Sequence, residues 1–399
     1  MSAHRHARNA VTAGKFAIEG QIEQGKPKVM ATVSTAPFLP KCRKSAKFML
    51  ARESSGKYWS KHGVGEMNRI PVIDIGPFLN GSAKDQETVA RQVDHACSSI
   101  GFLIISGHGV PDSLIDDMRT VSRAYFDQPL EEKVKLRMPP DRYRGYISLG
   151  SEALSYSLDE ESPPDFKESF SIGPTDAPDD DYHRAAKPGK FFAPNFWPEQ
   201  PANFRPVWGA YYHQMERVAT ELMRIFAVGL GMDKDFFDDK VDRHITNFSV
   251  LHYPEQPKEP LPGQLRAGAH TDYGSLTILK PDNAPGGLQV LSKEGGWIDV
   301  PTLPGTFVVN LGDLMAEWTN DRWVSTLHRV INPPRDKALG SRRLSMAFFH
   351  QPNYDAVIEC LPTCVTSERP ARYGRTTSGE HVWMKITKHR TPELAKATA

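Results

Sequence analysis

The strongest constraint on the fold is a rhythm of short apolar segments, separated by turn-forming residues, in the second half of the chain. Seven such segments follow one another between residues 246 and 350, with turns about every 8–12 residues. Strands this short and evenly spaced are typical of an antiparallel sandwich or barrel. The segments are TNFSVLHYP, GSLTIL, GGLQVL, GWIDVP, TFVVNLGD, STLHRVI and RRLSMAFFH.

The first half of the chain has a mixed pattern. Apolar residues recur every three to four positions over 85–99 and 205–230, which predicts two amphipathic helices. Residues 139–204 are rich in Pro, Asp and Gly and predict a long loop, interrupted by the segment DFKESFSIG at 165–173. We therefore expect a mainly β protein with flanking helices. Its predicted parts are an N-terminal region at 67–235 that includes the loop, a β core at 236–389 and a tail at 390–399.

The charge distribution sets residues 1–66 apart. This segment carries 12 Lys and Arg against 4 Asp and Glu, whereas the rest of the chain has a net charge of −7. A basic segment without hydrophobic periodicity predicts a disordered arm, a targeting peptide, or an extension upstream of a true start at Met67. The acidic main body has no basic footprint for nucleic acid.

Composition also limits the compartment and the partners. The chain has no run of about 18 apolar residues, so no membrane span is expected. Four cysteines are too few for a disulfide scaffold and predict reduced thiols. We expect a cytoplasmic protein, monomeric, that acts on a small molecule and binds neither membrane nor nucleic acid.

The stretch AGAHTDYGSLTIL at 267–279 places two polar groups beside an apolar run. On a strand, His270 and Asp272 would share one face and could ligate one metal ion. The spacing alone is weak evidence, since segments 181–183 and 242–244 carry it in reverse order. A buried, mutually hydrogen-bonded pair is the alternative interpretation.

Three downstream residues favour the metal site. His328 lies among apolar residues in a later segment, and two histidines with one carboxylate leave three octahedral positions open, which suits non-haem Fe(II). In the next segment, Arg343 and Ser345 share one face of a predicted strand. An arginine in a β core requires an anionic partner, and arginine binds carboxylates in a bidentate manner.

These motifs resemble the 2-oxoglutarate/Fe(II)-dependent dioxygenases, specifically the isopenicillin N synthase-like family. The resemblance covers about residues 70–389 and rests on HTD at 270–272, on His328 followed by RV, and on R-x-S at 343–345. Further segments similar to this family are IPVIDIGPFL, GFLIISGHGV, GGLQVL, GWIDVP and NLGD. The resemblance implies a double-stranded β-helix core, also called a distorted jelly roll.

The resemblance also implies a site and a reaction. It assigns Fe(II) to His270, Asp272 and His328, and the distal carboxylate of 2-oxoglutarate to Arg343 and Ser345. The expected reaction uses O2 to hydroxylate, desaturate or cyclise a small, partly apolar substrate, with release of succinate and CO2. Ascorbate is an optional accessory in this expectation.

One assignment departs from the family pattern. Tyr253 matches a tyrosine that commonly contacts the co-substrate, but the asparagine usual two positions earlier is Leu251 here. A core tyrosine is therefore the alternative.

Three other functions stay open at this stage. The same fold includes Fe(II) oxidases, in which Arg343 would bind the substrate's own carboxylate without 2-oxoglutarate. A non-catalytic jelly-roll binding module is a second alternative. A zinc hydrolase is disfavoured, because the chain has no HExxH motif to supply a general base.

Aromatic residues are the expected substrate contacts. Four come from the long loop region and one from the last core segment, and each could equally be packed in the hydrophobic core. They are Tyr143, Tyr146, Phe170, Trp197 and Phe348.

Overall fold

The computed structural model describes residues 69–139, 142–155, 162–185 and 187–388, with side chains as far as residue 385. The predicted basic extension at 1–66 and the tail at 390–399 lie outside the described residues.

A parallel strand pair and its connecting helices open the described chain. The elements are β1 (Val72–Asp74), α1 (Gly76–Asn80), α2 (Ala83–Ser99), β2 (Phe102–Ser106), α3 (Asp112–Phe126) and α4 (Leu130–Lys133). Helix α2 begins with a capping box in which the side chains and backbone N–H groups of Ser82 and Asp85 bond reciprocally. Between α2 and β2, Gly101 has φ +68°, and a Cβ there would lie 2.0 Å from the carbonyl oxygen of Val324. This turn therefore requires glycine.

Six further strands extend this pair into one large sheet. They are β3 (Gly145–Ile147), β4 (Glu168–Ile172), β5 (Asn247–Tyr253), β7 (Leu276–Pro281), β10 (Phe307–Leu311) and β12 (Arg343–His350). The strand order is β1-β2-β10-β7-β12-β5-β4-β3, and all pairs except β1 with β2 are antiparallel. Strands from the predicted N-terminal region and the predicted core thus belong to the same sheet.

A smaller antiparallel sheet completes the core. Its strands are β6 (Ala267–His270), β8 (Leu288–Leu291), β9 (Trp297–Asp299) and β11 (His328–Val330), in the order β6-β11-β8-β9. A two-stranded sheet of β13 (Val357–Ile358) and β14 (Thr376–Thr377) lies near the C-terminus. Between residues 246 and 350 strands predominate over helices, which agrees with the turn rhythm of the sequence there.

The remaining helices surround the sheets. They are α5 (Asp181–Arg184), α6 (Phe204–Gly229), α7 (Asp238–Val241), α8 (Asp313–Trp318) and α9 (Ser378–Lys388). Helix α6 matches the helix predicted at 205–230. Its buried residues recur every three to four positions and pack into the main hydrophobic core. Helices α2 and α3 pack against α6. No helix in the described part of the chain is both long and apolar enough to cross a membrane.

Candidate metal and co-substrate site

A cavity lies between the two sheets, and side chains from both of them line it. Strands β5, β7 and β12 contribute from the large sheet, and β6, β8 and β11 from the small one. Lining residues alternate along β5, β7 and β12, because successive side chains of a strand point to opposite faces. The cavity contains all six residues that the sequence assigned to metal and co-substrate.

Two histidines and one aspartate of the cavity wall converge on one point. His270 and His328 are directly opposite each other on β6 and β11, and their ring centroids are 4.3 Å apart. Oδ1 of Asp272 lies 3.9 Å from Nε2 of His270 and 3.8 Å from Nε2 of His328. Strand β6 ends at His270, so Asp272 lies in the following loop and not on the strand that the i, i+2 argument assumed.

In each histidine, Nδ1, the ring nitrogen that does not face Asp272, is hydrogen-bonded to a backbone carbonyl. Nδ1 of His270 lies 2.8 Å from the oxygen of Gly268, and Nδ1 of His328 lies 3.1 Å from the oxygen of Thr326. A carbonyl only accepts, so each Nδ1 carries the proton and donates it. Both Nε2 lone pairs are therefore free to coordinate a metal ion.

The second oxygen of Asp272, Oδ2, is fixed by hydrogen bonds from two side chains. Oδ2 accepts hydrogen bonds from Oγ1 of Thr277 at 2.5 Å and from Nδ2 of Asn310 at 2.6 Å. This leaves Oδ1 directed toward the histidine nitrogens. The sequence reasoning missed both donors, although Asn310 was recognisable as a lone polar residue in the apolar run TFVVNL.

Local electrostatics keep these groups in the protonation states that metal binding needs. Burial and the neighbouring His328 lower the pKa of His270 to about 3. Burial alone would raise the pKa of Asp272, but the two histidines and its two hydrogen bonds lower it overall. At neutral pH, His270 is neutral and Asp272 is an anion. A set of two imidazole nitrogens and one carboxylate oxygen fits Fe(II).

Arg343 provides a positive charge in the same cavity. It is only 3% exposed, and its Nη1 donates to the carbonyl of Gly286 at 2.8 Å. Its Nε is buried without a hydrogen-bond partner, and Arg343 forms no ion pair with any described carboxylate. A buried guanidinium without a counter-ion is costly. The cavity therefore fits an anionic ligand at this position, and 2-oxoglutarate is such a ligand.

Two further residues adjoin this arginine. Ser345 lies on the same face of β12, two residues along, and Leu251 is its neighbour on β5. Tyr253 is directly opposite Arg343, and the guanidinium carbon lies 5.9 Å from the centre of its ring. The departure from the family pattern at Leu251 thus places an apolar side chain beside Ser345.

The structure separates the five aromatic residues predicted for substrate binding. Only Tyr143 lines the cavity. The other four belong to or pack against the main hydrophobic core: Tyr146, Phe170, Trp197 and Phe348. On β12 the reason is alternation, because Ala347 and Phe349 face the cavity and Phe348 points to the opposite side, where it meets Tyr212 of α6.

Two family models match this chain. Residues 70–200 match the N-terminal region described for non-haem dioxygenases in morphine synthesis. Residues 245–352 match the 2OG-Fe(II) oxygenase superfamily. Together these matches span most of the described chain.

Similar proteins carry the same description. A 2-oxoglutarate-Fe(II) type oxidoreductase, hxnY of Emericella nidulans, is 34% identical over 309 residues, which cover 76% of this chain and 85% of that protein. A homoarginine-6-hydroxylase of Oryza sativa subsp. japonica is 33% identical over 347 residues, covering 80% and 97%. A full-length Neurospora crassa protein, crystallised in complex with alpha-KG (2-oxoglutarate) and thymine, has a TM-score of 0.71 at 33% identity, covering 81% and 98%.

These findings confirm the predicted fold class, a double-stranded β-helix core with flanking helices. They also confirm Fe(II), 2-oxoglutarate and O2 as the cofactor and co-substrates. They favour the dioxygenase over the oxidase and the binding module. The chain belongs to the 2OG-Fe(II) oxygenase superfamily and is an Fe(II)- and 2-oxoglutarate-dependent dioxygenase.

Proposed function

We propose that His270, Asp272 and His328 hold the Fe(II) of this dioxygenase. The observation that carries the proposal is the convergence of two Nε2 atoms and Oδ1, while hydrogen bonds hold each ligand's outer atom. Such outer contacts orient metal ligands and raise their affinity. Bound Fe(II) supplies the activation of O2 that couples substrate oxidation to the conversion of 2-oxoglutarate into succinate and CO2.

Arg343 and Ser345 are the proposed anchor for the distal carboxylate of 2-oxoglutarate, with Tyr253 beside them. The unpartnered Nε of Arg343 supports this role, since a carboxylate there would neutralise a buried charge. Burial lowers the pKa of Arg343, yet arginine stays protonated in the physiological range. The anchor therefore keeps its charge at every pH at which the enzyme works.

The rest of the cavity wall suggests the kind of substrate. Tyr143, Phe191 and Val382 offer apolar surface, while Ser171 and Ser249 add hydroxyl groups that hydrogen-bond to each other at 2.6 Å. A small, partly apolar organic molecule with a few hydrogen-bonding groups matches this wall. The described relatives differ in their named substrates, so none of these is assigned to this chain.

The proposal extends to organisation and location. We keep 67–235 as the N-terminal region and 236–389 as the core, and propose a cytoplasmic monomer that binds no nucleic acid. The unpaired state of Cys97, Cys360 and Cys364 supports a reducing compartment. Light scattering on the purified protein and fractionation of the source cells test the oligomeric state and the location.

Anaerobic titration tests the residue roles directly. Adding Fe(II) and then 2-oxoglutarate should produce a metal-to-ligand charge-transfer band in the visible spectrum. His270→Ala should abolish the band, and Arg343→Ala should raise the 2-oxoglutarate concentration needed for it at least tenfold, because charge-assisted hydrogen bonds contribute about 1.5–3 kcal/mol each. The matched control is Arg329→Ala, whose guanidinium stacks on Trp297.

Succinate formation separates the remaining interpretations. A substrate screen should release succinate from 2-oxoglutarate in step with O2 consumption. If Arg343→Ala bound 2-oxoglutarate as tightly as Arg329→Ala does, the proposed anchor would be wrong. Substrate-dependent O2 consumption without succinate would instead support the oxidase mechanism.

A further inference from the structure

A second cluster of potential metal ligands lies outside the cavity. His213 and Glu216 are three residues apart on α6, and Asp176 follows β4 in the chain. One ligand atom from each residue lies within 4.8 Å of the others. Histidine and glutamate at i and i+3 project from one helix face, an arrangement that also occurs in carboxylate-bridged metal sites.

Neighbouring residues hold this cluster in place. Nδ1 of His213 lies 2.8 Å from Oε2 of Glu216, whose other oxygen lies 3.0 Å from Nε2 of His244. The hydroxyl of Thr175 is 3.3 Å from Nε2 of His213 and contacts the ring nitrogen that faces away from Glu216. His244 thus orients the carboxylate of Glu216, as hydrogen-bonding neighbours orient carboxylates that bind metal ions.

Neither carboxylate of the cluster forms an ion pair with a described lysine or arginine. Glu216 forms ion pairs only with the two histidines, and Asp176 forms none with the described part of the chain. One carboxylate oxygen of Asp176 and one of Glu216 lie within 4.8 Å of each other. A cation is the natural partner for such a pair.

We propose that Asp176, His213 and Glu216 form a second site for a divalent transition metal of the zinc class. One imidazole nitrogen and two carboxylate oxygens satisfy three positions of a tetrahedral ion, and water completes the set. The carboxylates exclude a soft, thiolate-type site, and the imidazole disfavours Mg²⁺ and Ca²⁺.

The position of the site suggests what the ion does. Asp176 follows β4, whose Ser171 lines the cavity, and Glu216 contacts His244, just before the cavity residue Ile245. An ion there links α6 to the segments that follow β4 and precede β5. The ion thus stabilises one wall of the substrate cavity and does not contact the proposed iron ligands.

Zinc stoichiometry tests the proposal. Chelator-treated full-length protein is dialysed against micromolar Zn²⁺, and bound metal is counted by mass spectrometry. Asp176→Asn and His213→Ala should each bind about one ion fewer than the wild type. His95→Ala, which removes an exposed histidine from α2, is the matched control and should bind as many as the wild type. Because the readout is the difference between variants, zinc bound elsewhere cancels.

A stability measurement in the His270→Ala background isolates the second site. There, Zn²⁺ should raise the unfolding temperature by a few degrees, and adding Asp176→Asn should remove that rise. Asp176 lies in a connecting segment, so this variant leaves helix α6 unchanged. Unaltered stoichiometry in both ligand variants, or a Zn²⁺-induced rise that persists with Asp176→Asn, would overturn the proposal. Neither result would bear on the proposed iron site.

Discussion

Replacing Asn310 by alanine should weaken Fe(II) binding while leaving the fold intact. Asn310 lies on β10 and does not coordinate the proposed metal position itself. Its amide donates one of the two hydrogen bonds that hold Oδ2 of Asp272, and the hydroxyl of Thr277 donates the other. Without the amide, the carboxylate can rotate and Oδ1 loses its fixed direction.

The geometry sets the size of the effect. A hydrogen bond to a charged group contributes about 1.5–3 kcal/mol, which corresponds to roughly 10–150-fold in a binding constant. Loss of an outer contact typically costs about 10–100-fold in metal affinity. Because the Thr277 bond remains, we expect a loss of about 10–30-fold for Asn310→Ala. Thr277→Val should have a similar effect, and the double variant should lose more than either one.

Anaerobic Fe(II) titration with 2-oxoglutarate present, read from the charge-transfer band, measures this affinity. Circular dichroism and urea unfolding establish that each variant is folded. Asn80→Ala on α1 serves as the control, because its amide contacts only the exposed backbone oxygen of Gly76. If folded Asn310→Ala bound Fe(II) within twofold of the wild type, the inferred role of this hydrogen bond would be wrong.

Three further predictions concern stability, each measured by urea unfolding. Glu168→Gln should lower the free energy of unfolding by about 3–5 kcal/mol, because it leaves the buried Lys133 ammonium without the carboxylate that lies 2.9 Å away. The control Glu132→Gln, at an exposed position, should lower it by less than about 1 kcal/mol. Burial and His244 hold the pKa of His350 well below its usual value. The unfolded chain therefore takes up this proton first, and His350 alone should lower the free energy of unfolding by about 1.4 kcal/mol between pH 7.5 and 5.5. A His350 variant should lose about that much less stability than the wild type over this range. Gly101→Ala should lower the free energy of unfolding by more than about 1 kcal/mol, because φ is positive and the new Cβ would overlap a carbonyl oxygen. For each of these three variants, an unchanged free energy of unfolding would contradict the argument.

The sequence by itself determined the fold class and the chemistry of the site. Strand rhythm predicted a mainly β core, and apolar periodicity predicted α6 to within one residue at each end. His270, Asp272 and His328 were recognisable because imidazoles and carboxylates are costly to bury without a partner. The same reasoning singled out Arg343. These are local properties of residue type and spacing, so they can be read along the chain.

Only the tertiary structure decided what holds these groups and what surrounds them. Asp272 lies in a loop that breaks the strand pattern, and Thr277 holds it from the start of the next strand. Its contact with Asn310 and the pairing of His270 with His328 join segments that are far apart in the sequence. Phe348 shows the same limit: its aromatic character suggested the cavity, but strand register turned it into the core. Register and long-range pairing depend on how whole sheets pack, and residue type does not specify which face a side chain will occupy.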